Sequence, residues 1–164
     1  MGESLLRPAT AADVEQVARI WETGWADGHL GHVPEELARL RTPESFRTRA
    51  GSQVGDTTVA EVDGDVVGFV MVVADEVEQV YVDRGHRGSG VAAALLAEGA
   101  RRVAAAGHER AWLAVATGNA RARRFYERQG WVDEGEFAYP ASIERGTLPV
   151  SCHRFARDLG GPAG

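Results

Sequence analysis

The chain contains no lysine: all 18 positions that could carry lysine or arginine, among 164 residues, carry arginine. That excludes a phosphate-loop lysine and a Schiff-base lysine, both of which need a primary amine. Cysteine is almost absent too, with Cys152 alone. No intramolecular disulfide can form, and a reducing cytoplasm is the expected home. Long apolar runs are missing, since none nears the roughly 20 residues that cross a bilayer. The opening MGESLLRPATAADVEQ carries acids where a signal peptide has an apolar centre, so no membrane partner is expected. An excess of basic charge is missing as well. The formal net charge is −6, which argues against nucleic acid as a partner, because phosphate contacts need a basic surface. No internal repeat or long linker divides the sequence. One domain over 1–164 is expected, with residues 160–164 (GGPAG) as a frayed tail. A domain of this size buries about 70% of the surface its unfolded chain exposes.

What the sequence does have is a glycine cluster. Gly85, Gly88 and Gly90 fall around HRGSGVAAALL, just where a helix begins. Glycine is costly in backbone entropy, so a cluster marks backbone that a side chain would obstruct. On either side the elements follow from periodicity. Glu3 to Arg7 reads as a strand ended by Pro8. Thr10 caps a helix over AADVEQVARIWETGW, and ADGHLGHVP reads as a loop. Short helices are expected at Glu35 to Leu40 and at Pro43 to Ala50. TTVAEVDGDVVGFVMVV is a strand pair turning at Asp63-Gly64, and VEQVYVD is a fourth strand. After the glycines comes an alanine-rich helix to about Ala106, then the strand RAWLAVAT, then the helix NARARRFYERQG with Gly130 at its C-terminal cap. WVDEGEFAYP and LPVSCHRFARDL are the last two strands. The order is mixed α/β and lacks regular βαβ alternation.

Two ligands and one plain turn compete for the glycines. Gly88, Gly90 and Ala93 fit a dinucleotide fingerprint, G-x-G-x-x-G/A. The context fails, because Asp83 to Arg87 separate the motif from its strand and no acid closes the strand AWLAVAT. A diphosphate cradle fits better. The strand ends at Val82, the chain turns, and helix N–H groups and dipole then converge on one spot, with Arg84 and Arg87 nearby. The third possibility is a tight strand-to-helix turn with no ligand. Either way Ala92, Leu96, Gly99, Val103 and Ala106 form a small-residue face suited to packing on a sheet.

A second stretch, NARARRFYERQGW from Asn119 to Trp131, decides between them. Ala122, Phe125, Tyr126 and Gln129 share one helical face. Together the two stretches resemble the GNAT N-acetyltransferase superfamily. Arg87-Gly88-Ser89-Gly90-Val91-Ala92 matches its Q/R-x-x-G-x-G/A coenzyme A motif, with alanine as the last residue. Asn119, Ala122, Phe125, Tyr126, Glu127, Gly130 and Trp131 match N-x-x-A-x-x-F-Y-E-x-x-G-F, with tryptophan last. Arg84 stands where a proline is often found. The resemblance spans roughly Leu5 to Leu159. It implies a mixed, mostly antiparallel twisted sheet of about seven strands flanked by helices, with the fourth and fifth strands splayed. It implies acetyl-CoA as cosubstrate, with pantetheine along Val80, Tyr81 and Val82, pyrophosphate on Arg87 to Ala92, and Asn119 reaching the coenzyme. It also places Tyr126 as general acid for the leaving sulfur, a role its ordinary pKa near 10 suits.

The remaining roles combine the residues with what the resemblance implies. An amine must lose a proton before it attacks a thioester. Glu78 is the candidate base, read on the same strand face as Val80 and Val82. Glu76 is second, and a water chain is a third route. Cys152 reads as a packed cysteine, since His153 beside it points to the opposite face. His29 and His32 form H-x-x-H without further ligands, so no metal is expected. Arg121 to Arg128 offer either a contact for the coenzyme 3′-phosphate or a solvated helix face. The resemblance implies that the end of the first helix and the hairpin before the last strand line the acceptor site; Trp21 is expected in the core, while Trp25 and His29 stand open between core and substrate contact. Ala138 to Pro149 reads as a lid over the acceptor. The expected function is transfer of acetyl from acetyl-CoA to a primary amine of a small molecule, by direct attack in a ternary complex. The acidic balance favours a cationic amine. A non-catalytic acyl-CoA sensor and a peptide or protein N-acetyltransferase are the alternatives. An exposed strand edge could pair two copies into a homodimer.

Overall fold

The computed structural model describes residues 3–160, so residues 161–164 of the expected frayed tail lie outside the described residues. Seven strands form one sheet: β1 (Leu5–Pro8), β2 (Thr57–Val62), β3 (Asp65–Val73), β4 (Glu76–Val82), β5 (Arg110–Ala116), β6 (Val132–Ile143) and β7 (Gly146–Asp158). Five helices accompany them: α1 (Val14–His29), α2 (Glu35–Leu40), α3 (Pro43–Ser52), α4 (Val91–Ala105) and α5 (Ala120–Arg128). The strand order is β1-β2-β3-β4-β5-β7-β6. Every pairing is antiparallel except β4 with β5, which is parallel and registers at a single pair, Glu76 with Trp112. Beyond that pair the two strands diverge, as the resemblance implied.

The core lies on both faces of the sheet. On one face Leu95, Leu96 and Val103 of α4 pack on Val70, Val77 and Leu113. On the other, Val17, Trp21 and Trp25 of α1 pack with Phe46 of α3 on Phe69 and Met71. Each fully buried Leu or Phe contributes on the order of 2 kcal/mol. That is why β3, buried on both sides over Val67 to Val72, reads as a continuous apolar run and shows no alternation. Among the described residues, no helix is long and apolar enough to cross a membrane.

Three sequence expectations shift. α1 runs to His29, through residues read as loop. Gly24 and Gly28 signal packing there: a Cβ at Gly24 would sit 2.2 Å from Tyr81 Cδ1, and one at Gly28 would sit 2.6 Å from Asn119 Nδ2. Ala138 to Pro149 is part of the long β6–β7 hairpin, with Tyr139 opposite Val150. Its alternating exposure along β6 makes it a strand arm rather than a loop lid. Glu78 also leaves the face of Val80 and Val82. Opposite Met71 and Val72 stand Gln79 and Val77, so Glu78 is the extra residue of a β-bulge. The bulge breaks the two-residue alternation. Val80 and Val82 pack on the α4 side, while Glu78 accepts a 3.0 Å hydrogen bond from Gln53 beyond α3.

Candidate functional site

Where β4 and β5 part, they open a cleft of about 550 Å³. It runs from the start of α4 to the β6–β7 arm. Beyond Glu76 the β5-facing edge of β4 has no strand partner, and main-chain groups along such an edge seek a ligand or water. Val80, Tyr81 and Val82 line the cleft, as do Arg87, Gly88, Gly90, Ala92, Asn119, Tyr126 and Glu78. Trp25 and His29 line it too. Two residues assigned to the coenzyme motif are not among its lining. Val91 is buried in the core beneath it, and the Ser89 hydroxyl turns back to the His86 carbonyl.

At one end the glycines shape the helix start. Gly88 and Gly90 hold φ of 79° and 91°, a region that side chains disfavour. A Cβ at either would meet nothing within 4 Å, so the space above them is open. Gly90 caps α4 without a side-chain acceptor. The first intrahelical bond there is Ala94 N–H to the Gly90 carbonyl. The preceding amides of the first turn are thus free to bind an anion, with the helix dipole behind them. Arg84 and Arg87 are not free charges. Arg84 Nε and Arg87 Nη2 donate to Asp27 of α1 at 3.0 and 2.7 Å. The Arg84 bond, then the Arg87 bond, hold the Asp27 carboxyl far below its ordinary range. Two guanidinium groups against one carboxylate leave a net positive charge. Asn119 caps α5 by accepting from Ala122 N–H at 3.2 Å, and Arg121 of the same turn also lines the cleft.

In the middle sits Tyr126, held against Phe125 and Phe155 at centroid distances of 5.3 and 5.9 Å. Burial pushes its hydroxyl up to about 12, so it is protonated at neutral pH. Cys152 lines the same cleft, and burial pushes its thiol up to about 11. His153 turns away to pair with Asp133 at 2.9 Å. Cys152 is therefore a neutral packing group and not a thiolate nucleophile.

The far end is acidic, aromatic and cationic together. Burial pushes Glu76 up to about 7, although a 2.7 Å hydrogen bond from the Tyr139 hydroxyl pulls the other way. Glu78, re-aimed by the bulge, lines the cleft close to Arg49. Trp25 is 7% exposed and stacks on His29 at 4.9 Å with the rings almost parallel. Burial pushes His29 down to about 4, leaving it neutral, with Nδ1 3.0 Å from the Trp25 carbonyl oxygen. His32 lies against Gly118 instead. Trp21 is fully buried, as expected.

Asp27, Arg41, Arg49 and Tyr139 escaped sequence reasoning. Arg41, Arg49 and Tyr139 reach the cleft from a turn, a short helix and the hairpin arm, Asp27 holds Arg84 and Arg87 beside it from a helix end, and no spacing rule links the four. The signal that could have found Asp27 is Gly28 beside it: glycine late in a helix marks a close approach by another element.

Comparison with known proteins agrees with this architecture. The model of the acetyltransferase (GNAT) family matches residues 16–131. An uncharacterized N-acetyltransferase of Mycobacterium tuberculosis is 36% identical over 112 residues, 63% of this chain and 72% of that protein. Among solved structures, the PaiA N-acetyltransferase of Thermoplasma acidophilum, in complex with coenzyme A, superposes with a TM-score of 0.74. It has 16% identity and covers 95% of this chain and 99% of that one. A GCN5-related N-acetyltransferase from Rhodopseudomonas palustris also scores 0.74, with 21% identity and coverage of 96% and 97%. A family match over well more than half the chain, on a sheet that splays where the cleft opens, makes this chain a member of the GNAT acetyltransferase family.

Proposed function

We propose that the chain transfers the acetyl group of acetyl-CoA to a primary amine of a small molecule, by direct attack within a ternary complex. One observation carries this reading. A single cleft joins the free amides of the α4 start to the Glu78 carboxylate near the head of β4, with a protonated tyrosine between them. Pyrophosphate would rest on the amides around Gly88 to Ala92 and on the net positive charge left by Arg84 and Arg87. The pantetheine amides would bond the unpaired edge of β4, leaving the thioester near Tyr126. The neighbour from Thermoplasma acidophilum, solved with coenzyme A, shares this fold.

The chemistry then balances as follows. A carboxylate, Glu78 first, takes a proton from the ammonium and exposes the nitrogen lone pair. Glu76 is the second acceptor, reached through the Tyr139 hydroxyl that bonds it. The nitrogen attacks the thioester carbonyl carbon and the C–S bond breaks. Tyr126 gives its proton to the departing thiolate and regains one from the nitrogen. The products are an amide and free coenzyme A thiol.

The test is free-thiol release in Tyr126→Phe. General-acid loss typically costs about 100-fold or more. The turnover rate should fall by that order, while acetyl-CoA still binds as in wild type by calorimetry. An unchanged rate would remove Tyr126 from the reaction. Tight acetyl-CoA binding with no turnover of any amine by wild type would favour a sensor.

A further inference from the structure

Arg41 follows α2 and Arg49 lies near the end of α3. Both line the cleft at its Glu78 end. A guanidinium keeps its charge throughout the range proteins experience. Removed from water, it needs acceptors or an anion. These two lack them. Arg41 Nε and Arg49 Nη1 are closed off from solvent with no hydrogen-bond partner. Salt bridges from arginine among the described residues involve Arg7, Arg84, Arg87, Arg101, Arg110, Arg123 and Arg154, and neither of this pair. Arg49 instead lies over the Trp21 ring, 4.3 Å from its centroid, which positions the charge without neutralising it.

The electrostatics point the same way. Burial, then the neighbouring Arg49 charge, pushes Arg41 down to about 10. Burial is also the main cause that lowers Arg49, against weaker support from Tyr81, Glu78 and Tyr139. Because arginine stays protonated, both pushes measure a cost that an incoming anion would relieve. Glu78 is one carboxylate, near Arg49, and Gln53 already donates to it, while burial raises Glu76 behind Tyr139 to about 7 and favours its neutral form. The cleft end is therefore locally cationic inside a chain of net charge −6. This runs against the cationic acceptor that overall charge favoured.

We infer that the acceptor is an amino acid, whose carboxylate is bound by Arg41 and Arg49 while its ammonium faces Glu78. The inference rests on the acetyl-transfer reading above. A zwitterion carries the complementary pattern, an anion for two guanidinium groups and a cation for one carboxylate. Guanidinium donors are forked to match a carboxylate, often through two parallel bonds.

The experiment uses the full chain. Acetyl-CoA binding is titrated by calorimetry first. Free-thiol release is then followed with a panel of standard L-amino acids, each paired with its own carboxamide. The acid of a productive pair should exceed its amide in kcat/KM on the order of 100-fold, the size expected when a buried charged partner is lost. Arg49→Met and Arg41→Gln should each raise KM for the acid by a similar order, bringing the acid-to-amide ratio of kcat/KM toward one. Retained acetyl-CoA binding shows that each variant folds. Amides accepted as well as acids would overturn the inference, as would acetyl-CoA binding with no amino acid acetylated. Either result leaves the transfer reading standing. Absence of acetyl-CoA binding by folded wild type would remove that reading and this inference with it.

Discussion

Gly24 has no room for a methyl group. Its ideal Cβ falls 2.2 Å from Cδ1 of Tyr81, far inside van der Waals contact. Alanine gains about 1 kcal/mol over glycine as a helix former. Overpacking a filled core costs roughly 1–3 kcal/mol, so the clash should win. Gly24→Ala is expected to lower the urea midpoint. It should also weaken acetyl-CoA binding, because the displaced ring belongs to the β4 segment that lines the cleft. A midpoint above wild type would mean that Tyr81 moves aside freely. At this scale the sequence was most legible where one short stretch carries the whole constraint. Gly88, Gly90, Asn119 and Tyr126, which line the cleft, all sit in the two short motifs that carry the family resemblance. Arg41, Arg49 and Tyr139 do not, since each matters only through residues far along the chain. Cys152 was legible as packing, because its neighbour His153 had to face away.

Between elements, Asp27 ties the end of α1 to the loop before α4 through Arg84 and Arg87. That carboxylate sits beside the proposed pyrophosphate site and repels it. Arg84 is largely exposed, so solvent screens its ion pair and the pair adds little. Arg87 is less exposed but shares the same carboxylate. Removing the negative charge should outweigh the loosened tie. Asp27→Asn is expected to tighten acetyl-CoA binding about two- to fivefold at low salt, with the gain shrinking as salt screens it. Weaker binding at every salt concentration would show that the tie, which orders the loop, matters more. Element order, the Asp63-Gly64 hairpin and the parting of β4 from β5 all agree with the sequence reading. Helix length did not, because Gly28 looks like a loop signal until the element it touches is known. Nor could the sequence show the bulge at Glu78, since a bulge depends on register with β3. That one extra residue carries Glu78 from the α4 side to the Arg49 side.

Across the whole molecule, two buried groups pull stability in opposite directions over the same pH range. Glu76, raised from 4.5 to about 7, keeps a proton in the folded state that the unfolded chain has lost. The folded state binds more protons in that window, so this group makes stability rise as pH falls from about 7 toward 4.5. His29, lowered from 6.5 to about 4, stays neutral while the unfolded chain takes up a proton. It makes stability fall as pH drops from 6.5 toward 4. The two slopes oppose and offset in wild type. Glu76→Gln should expose the His29 slope, with Tm dropping more steeply than wild type between about pH 6.5 and 4.5. His29→Gln should expose the Glu76 slope, with Tm higher near pH 5 than near pH 7. Asp75, Glu78, Tyr139 and Arg154 still surround Glu76 in the histidine variant. Arg41, Arg49 and His32 still surround the position of His29 in the glutamate variant. Asp13 and Asp27, held low by Arg7 and Arg84, are common to all three proteins and cancel in the differences. Thermal melts of the three proteins from about pH 4.5 to 7.5 decide the matter. Curves that diverge in opposite directions from wild type mean that both groups titrate as their burial dictates. Three parallel curves would mean that solvent reaches them both.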